Sequence, residues 1–375
     1  MESSPTPCSA TVEPLLRYNH NHALADRNIG CNSKVLIVAE LSANHNQRLE
    51  VALDTIDAVA EAGADAIKLQ TFTPETITYK SNDPIFRVSG GTAWDGRSLH
   101  DLYSEAQTPW EWHETLFERA ADRDLLFFSS PFDFSAVDFL ETMEVPAYKV
   151  ASFEITDTPL IRRMAVTGKP VIISTGIATR SEIEEAISVC REVGNEQIVL
   201  LKCTSAYPAQ TRDANLRTMV DMHGRFDVAV GLSDHTMNHV SALAATALGA
   251  CMIEKHIILD RKMGGPDAGF SLEPTELAEL VKLVRQTESA RGVVTYELDE
   301  SAMRSRRFAR SLFVVEDVKA GDVMTERNVR SIRPSGGLEP SLRDSLIGRV
   351  FLRDVAAGTP LAISLLQGLD NGRGE

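Results

Sequence analysis

The run Gly231-Leu-Ser-Asp-His235-Thr is followed by an alanine-rich stretch of helical composition, then by Met252-Ile-Glu-Lys-His256 and the glycine-rich Gly264-Gly-Pro-Asp267. An apolar strand, a helix and a second apolar strand form a crossover unit. Such a unit lays two parallel strands side by side with their C-terminal ends on one face. His235 and His256 each stand where an apolar run gives way to a loop, so both are expected on that face. Two imidazoles so placed can converge on one metal ion. They can equally be hydrogen-bonded loop histidines, and spacing alone leaves both readings open. His45 and His239 are further metal candidates, the second because it follows His235 at a helical spacing.

The same alternation continues along the chain. Apolar runs at 35–40, 66–70, 125–129, 147–150, 171–174, 197–202, 228–232 and 251–256 read as strands. The segments between them carry apolar residues at helical spacing, such as Leu49, Leu53, Ile56 and Ala60, with Gly63 placed to end that helix. Ser181 and Glu184 have the spacing of a helix-starting capping box. Eight strand–helix units in about 250 residues predict an α/β fold of the (β/α)8 TIM-barrel type. An open doubly wound sheet uses similar units, but no GxGxxG fingerprint accompanies these.

The reactive face of such a barrel is the ring of strand C-terminal ends. All eight are polar: Glu40, Lys68 and Gln70, Ser129 and Ser130, Lys149 and Ser152, Ser174 and Thr175, Lys202 and Thr204, Ser233 and His235, and residues 254–256. Any one of these can merely cap a helix. Lysines at several ends of an acidic chain point instead to a focused site for a phosphate or carboxylate.

The chain has 375 residues, 43% of them hydrophobic and 24% charged, enough for one large domain and a small one. A net charge of -15 argues against generic binding to nucleic acid or to an anionic membrane. No apolar run approaches the ~20 residues that span a bilayer. The N-terminal residues lack the basic-then-apolar order of a secretory signal. The five cysteines, at 8, 31, 190, 203 and 251, are odd in number and form no CxxC pair, which reads as reduced thiols in the cytoplasm. Cys203 and Cys251 fall in apolar runs and read as packing residues.

Residues 1–33 show no sustained apolar periodicity and read as a loosely attached N-terminal arm, followed by the barrel over 34–292. Residues 293–308 form a polar linker rich in arginine. Over 309–369, short apolar runs alternate with turn signals such as Lys319-Ala-Gly-Asp322 and Ala356-Ala-Gly-Thr359. This predicts a small domain of short strands with little helix.

Several motifs together resemble the sialic acid synthase superfamily. They are Ala39-Glu40-Leu-Ser-Ala-Asn44-His45-Asn46, Ile67-Lys68-Leu-Gln70, Ser129-Ser-Pro-Phe-Asp133, Tyr148-Lys149-Val-Ala-Ser152-Phe-Glu154, Ser174-Thr-Gly176, Lys202-Cys-Thr-Ser-Ala-Tyr207-Pro and the two histidine motifs. Arg310-Ser-Leu-Phe-Val-Val and Asn328-Val-Arg-Ser-Ile-Arg333-Pro resemble that superfamily's C-terminal antifreeze-like (SAF-type) domain. Within the superfamily the chain is most similar to pseudaminic acid synthases, through Ala-Glu-Leu-Ser-Ala-Asn-His-Asn, Thr108-Pro-Trp-Glu-Trp-His113 and Ser-Phe-Glu. Gln47 departs from the pattern, since many members have glycine there.

The resemblance implies a transferase that condenses phosphoenolpyruvate with an open-chain amino sugar, 2,4-diacetamido-2,4,6-trideoxy-L-altrose in the pseudaminate branch, and releases phosphate. It implies a divalent metal, manganese first and magnesium or cobalt as alternatives, on His235 and His256 as catalytic ligands. Glu40 corresponds to a catalytic carboxylate beside the metal-bound water. Lys68, Ser130, Lys149, Ser152 and Ser174 correspond to phosphoenolpyruvate contacts. Glu154, Tyr207 and Asp267 correspond to sugar contacts, though each also has a plain structural reading as helix cap, core residue or turn anchor. Arg333 corresponds to an arginine that reaches the partner's sugar site in a domain-swapped homodimer. The alternatives are an N-acetylneuraminate or legionaminate synthase, a Schiff-base aldolase using Lys149 or Lys202, and a non-catalytic sugar or ice binder.

Overall fold

A computed structural model describes residues 22–24, 27–29, 33–89, 91 and 94–368. The chain divides into two units, Met1–Gly292 and Val293–Glu375. In the first, eight parallel strands close into a barrel, with the last pairing back to the first. They are β1 Leu36–Glu40, β2 Ala66–Thr71, β3 Leu126–Pro131, β4 Tyr148–Val150, β5 Val171–Ser174, β6 Ile198–Cys203, β7 Ala229–Ser233 and β8 Met252–His256. The TIM-barrel expectation holds, and each strand lies within two residues of its predicted run.

Side chains alternate between the two faces of each strand, as a pleated backbone requires. Ile37, Ile67, Phe127, Ile173, Leu200 and Ile253 point outward into the apolar layer beneath the helices. Val38, Ala66, Phe128, Ile172, Leu201 and Met252 point inward and fill the barrel interior. One further inward step on each strand brings the polar set to the C-terminal mouth. Gly231 is an inward position on β7, where an added Cβ would come within 2.5 Å of the Met252 carbonyl oxygen. A bare backbone there lets β7 and β8 close up below their histidines.

The helix α1, Leu49–Glu61, buries Val51, Ala52, Ile56 and Val59, so its packed stripe lies slightly to one side of the predicted one. Gly63 follows it at φ +81 and supplies the left-handed residue that ends the turn. The helix Arg180–Glu192 starts from a capping box formed by Thr179 and Glu182, two residues earlier than predicted. Thr179 is the extended residue before the helix, whereas Ser181 already lies in its first turn.

Much of the predicted 1–33 arm lies outside the described residues, but 22–24 and 27–29 pair as a short antiparallel hairpin. Leu24 and Ile29 are fully buried among the inward residues at the strand N-termini, and so close that end of the barrel. In the second unit, Ser311–Val314 pairs antiparallel with Val329–Ile332. Single bridges such as Val318 to Val355 and Phe351 to Leu366 complete a fold of very short strands. Its core is Leu312, Val314, Met324, Val329, Phe351 and Leu361. Among the described residues no helix is long and apolar enough to cross a membrane.

Candidate active site

A cavity of about 360 Å³, within the range of small-molecule sites, opens at the C-terminal mouth of the barrel. Two kinds of wall meet in it. The floor is made of inward strand ends: Glu40, Lys68, Lys149, Ser174, Cys203, Ser233, Glu254 and His256. The upper wall is apolar, with Val88, Trp94, Leu99, Leu102 and Tyr103 supplied by the long connection after β2. Trp94 is held there by an indole bond to the Pro266 carbonyl at 2.8 Å, and its ring lies 5.7 Å from that of Tyr207.

The floor is a compact charge network. Lys68 Nζ lies 2.9 Å from Glu40 Oε2 and 3.3 Å from Glu254 Oε1. Lys149 Nζ lies 3.9 Å from the same Glu254 oxygen and donates to Ser174 Oγ at 2.7 Å. Ser233 Oγ donates to Glu254 Oε1 at 3.0 Å, and Gln70 Nε2 donates to Glu40 Oε1 at 2.8 Å. Burial opposes the charge on Glu40, but Lys68, His256 and Gln70 outweigh it and hold the carboxyl well below its ordinary range. Burial likewise opposes the charge on Lys68, and Glu254 and Glu40 overcome it, so this ammonium is held above its ordinary value. Lys149 is pushed down, first by burial and then by the positive charge of Lys68, against the pull of Glu254. Two cations therefore face two carboxylates. Lys68 lines the cavity and braces Glu40 against Glu254.

The histidines converge. The rings of His235 and His256 lie 5.3 Å apart, centroid to centroid, and both side chains are buried. His235 Nδ1 lies 3.0 Å from the Thr204 carbonyl, which fixes the N–H on that nitrogen in the neutral ring and leaves Nε2 as the lone-pair donor. His256 Nε2 lies 3.2 Å from Glu40 Oε2, while its Nδ1 is buried without a hydrogen-bond partner, 3.9 Å from Asp267 Oδ2. Burial works against a charged His235, but the Cys203 sulfur at 3.8 Å and the Thr204 carbonyl outweigh it and raise its pKa. Burial lowers that of His256 despite Glu40.

Four other predicted positions, Ser152, Glu154, Tyr207 and Asp267, line the same cavity. Asp267 accepts from Ser42 Oγ and lies beside His256. The Tyr207 ring sits 4.5 Å from that of His235. Ser130 Oγ is buried without a partner, and Ser152 Oγ accepts from the Gly176 N–H at 3.1 Å. Glu154 lines the cavity, and one of its buried oxygens is unpaired. Arg333 lies in the second unit, exposed, just after the strand Val329–Ile332. Glu339 forms no ion pair with it, and no other described residue does.

Three sequence readings change. Cys203 is not a packing residue: it shares the inward parity of Leu201, and its sulfur faces His235. Lys202 is an outward residue whose ammonium bonds the Cys203 carbonyl, so it is not placed for Schiff-base chemistry in the cavity. His45 and His239 stand apart from the pair, His45 against Thr108 at 3.4 Å and His239 near Glu279 at 3.8 Å. Strand parity separates Cys203 from Lys202, whereas His45 and His239 lie beyond the strands, where parity carries no information.

Glu154 yields a pH prediction. Burial raises its carboxyl to about 7, with Lys149 opposing and Asp157 assisting, and the Tyr103 hydroxyl is the other titratable group facing it. A raised carboxyl binds its proton more tightly in the fold, so its contribution to stability falls as pH rises from the unfolded value and levels off above about 7. The loss is on the order of 3 kcal/mol. Glu154→Gln is expected to gain stability relative to wild type between pH 5 and pH 8 in urea unfolding. A constant difference across that interval would rule out the raised carboxyl.

The fold and this cavity define a barrel enzyme class, and comparison places the chain within it. The NeuB family model matches residues 55–296, and a SAF domain model matches 309–367. The chain belongs to the NeuB family. It is 46% identical to a pseudaminic acid synthase of Helicobacter pylori over 87% of this chain and 96% of that one. It is 36% identical to an N,N'-diacetyllegionaminic acid synthase of Campylobacter jejuni, over 86% of this chain and 97% of that one. A crystal structure of the N-acetylneuraminic acid synthetase of Leptospira borgpetersenii, in complex with citrate, superposes with a TM-score of 0.69 at 32% identity, covering 76% of this chain and 95% of that one.

Proposed function

We propose that this protein is a pseudaminic acid synthase, joining phosphoenolpyruvate to 2,4-diacetamido-2,4,6-trideoxy-L-altrose and water to give pseudaminic acid and phosphate. The observation that carries the reaction is the meeting, in one cavity, of a lysine–serine floor, a buried histidine pair and an apolar wall. The choice of sugar rests on the 46% identity to a pseudaminic acid synthase against 36% to a legionaminic one.

Lys149, Ser130, Ser152 and Ser174 supply donors for the phosphate and carboxylate of phosphoenolpyruvate. C3 of the enol then bonds to the aldehyde carbon, and water adds at C2 as phosphate leaves. Glu40 stays ionised between Lys68 and Gln70, which makes it a hydrogen-bond acceptor able to orient that water, though the same two contacts weaken it as a base. His256 Nδ1, buried and unpartnered, and His235 Nε2 fit a divalent cation, manganese first and magnesium or cobalt next. When bound, the cation supplies Lewis acidity for the aldehyde oxygen. Among the described residues no group of three or more His, Cys, Asp or Glu side chains is arranged to hold a metal ion, so the protein's proposed ligands are the two histidines alone. The apolar wall suits the C6 methyl and the acetamido methyls of the sugar. A Glu154 carboxyl that keeps its proton near neutrality can both donate to and accept from an amide. Tyr207 and Asp267 complete the sugar contacts. Cys190, Cys203 and Cys251 are free thiols, which suits action in the cytoplasm.

Phosphate release from phosphoenolpyruvate with each of three sugars tests the reading. The altrose isomer is expected to give a kcat/KM at least tenfold above N-acetylmannosamine and the legionaminate precursor. A preference for either of those reassigns the branch.

The proposal extends to a domain-swapped homodimer in which Arg333 completes the partner's sugar site. It predicts complementation. Arg333→Ala and His235→Ala homodimers are each expected to be nearly inactive. In a mixed dimer one site carries both defects and the other carries neither. Random exchange therefore restores about a quarter of wild-type activity, since half of the dimers are mixed and each has one intact site of two. No recovery after verified exchange would mean that Arg333 does not act across subunits.

A further inference from the structure

Lys255 is an ammonium group where a barrel wall is ordinarily apolar. It sits between Glu254 and His256 on β8, and it points the opposite way from both, out of the barrel and under the helical layer. It is 2% exposed. Its Nζ donates to Asp234 Oδ2 at 2.9 Å, to the Thr236 carbonyl, and to the Asn238 carbonyl at 3.4 Å. Asp234 is 4% exposed and is equally committed: it accepts from the Thr236 N–H at 2.9 Å and the Thr236 hydroxyl at 3.2 Å. Neither residue lines the cavity, and no step of the reaction uses them.

Their place in the register gives them a purpose. The β7–β8 ladder ends at Ser233 and Glu254, and the Asp234 N–H then bonds the Glu254 carbonyl at 2.9 Å. Beyond that point no strand pairing holds His235. The inward residues at these two ends are Ser233 with Glu254, then His235 with His256. The outward residues between them are Asp234 and Lys255. We propose that Asp234 and Lys255 are positioning residues, an ionic clamp behind the barrel wall that ties loop 234–238 to β8 and so sets the separation and aim of the two imidazoles. The clamp grips the loop on both sides of His235, through Asp234 before it and the Thr236 and Asn238 carbonyls after it. An apolar residue at 255 could fill the space but could not orient two carbonyls and a carboxylate. A buried ion pair contributes little net stability for its desolvation, and fixing one loop conformation is a recognised use of such a pair.

This inference rests on the two-histidine reading, and Co2+ titration of the metal-free protein tests both. In wild type, Co2+ is expected to bind with a visible ligand-field absorption. Lys255→Met keeps the stem and removes the charge. Asp234→Asn keeps the shape and the Thr236 bond, and serves if the first variant does not fold. Each folded variant is expected to bind Co2+ at least tenfold more weakly with an altered spectrum. kcat is expected to fall at least tenfold while the KM for phosphoenolpyruvate stays within twofold. A merely structural pair would lower the melting temperature but leave the spectrum and the Co2+ affinity of the folded protein unchanged, and that result overturns the clamp. If wild type takes up no Co2+, the metal reading fails by itself. The clamp then stands or falls on the kcat loss at constant KM.

Discussion

His235→Ala and His256→Ala are each expected to lower kcat by about a thousandfold or more while the protein remains folded. That factor corresponds to several kcal/mol of transition-state stabilisation, the scale of Lewis-acid assistance at a developing alkoxide. Retention of the fold follows from what each ring touches. His235 bonds the Thr204 carbonyl and faces the Cys203 sulfur at 3.8 Å, and the loss of such a bond costs about 1 kcal/mol. His256 has one unpartnered nitrogen, and its other faces Glu40, which keeps Lys68 and Gln70 as partners. Calorimetric titration of the metal-free protein with manganese separates the two readings of the pair. Loss of binding in either variant supports the metal reading. Undiminished affinity in both would return the histidines to the status of hydrogen-bonded loop residues.

The two histidines were legible in sequence because each stands two polar residues beyond an apolar run, and parallel crossover units bring such positions to one face. The eight strands were legible for the same reason: continuous Val, Ile and Leu runs mark strands covered on both sides. What sequence could not weigh was the direction of each side chain. Lys68, Lys149, Lys202 and Lys255 all read as strand-end cations, yet only the first two point into the cavity. Cys203 read as core because its neighbours are apolar, but a two-residue period puts it on the inward face with Leu201. The pairing of 22–24 with 27–29 was invisible because it buries only Leu24 and Ile29 in the core, too few residues to leave a periodic signal, while Arg27 ties it to Asp65 and the Asp124 carbonyl. The apolar wall after β2 was missed because part of it, Val88 and Trp94, lies in a loop, and the rest sits on a helix of only eight residues, Leu99–Ala106, inserted outside the strand–helix alternation.

Lys68→Met is expected to weaken phosphoenolpyruvate binding and, in addition, to unsettle the barrel. If the ammonium contacts the anion directly, its removal costs about 1.5–3 kcal/mol, or about ten- to a hundredfold in KM. The structure adds a second effect. Lys68 is 2% exposed and lies between Glu40 and Glu254, so its loss leaves Glu40 with Gln70 and His256, and Glu254 with Ser233 and a lysine, Lys149, at 3.9 Å. Breaking a buried pair in this way costs about 3–5 kcal/mol, because the remaining charge has lost its partner. Methionine keeps the length of the stem, so little of either effect comes from an empty cavity. Urea unfolding and the KM for phosphoenolpyruvate then read the two effects separately. The double variant Lys68→Met with Glu254→Gln removes one carboxylate along with its cation, and is expected to regain most of the stability without regaining substrate affinity. If stability falls while that KM stays within twofold, Lys68 is only a brace, and the anion is held by Lys149 and the serine hydroxyls.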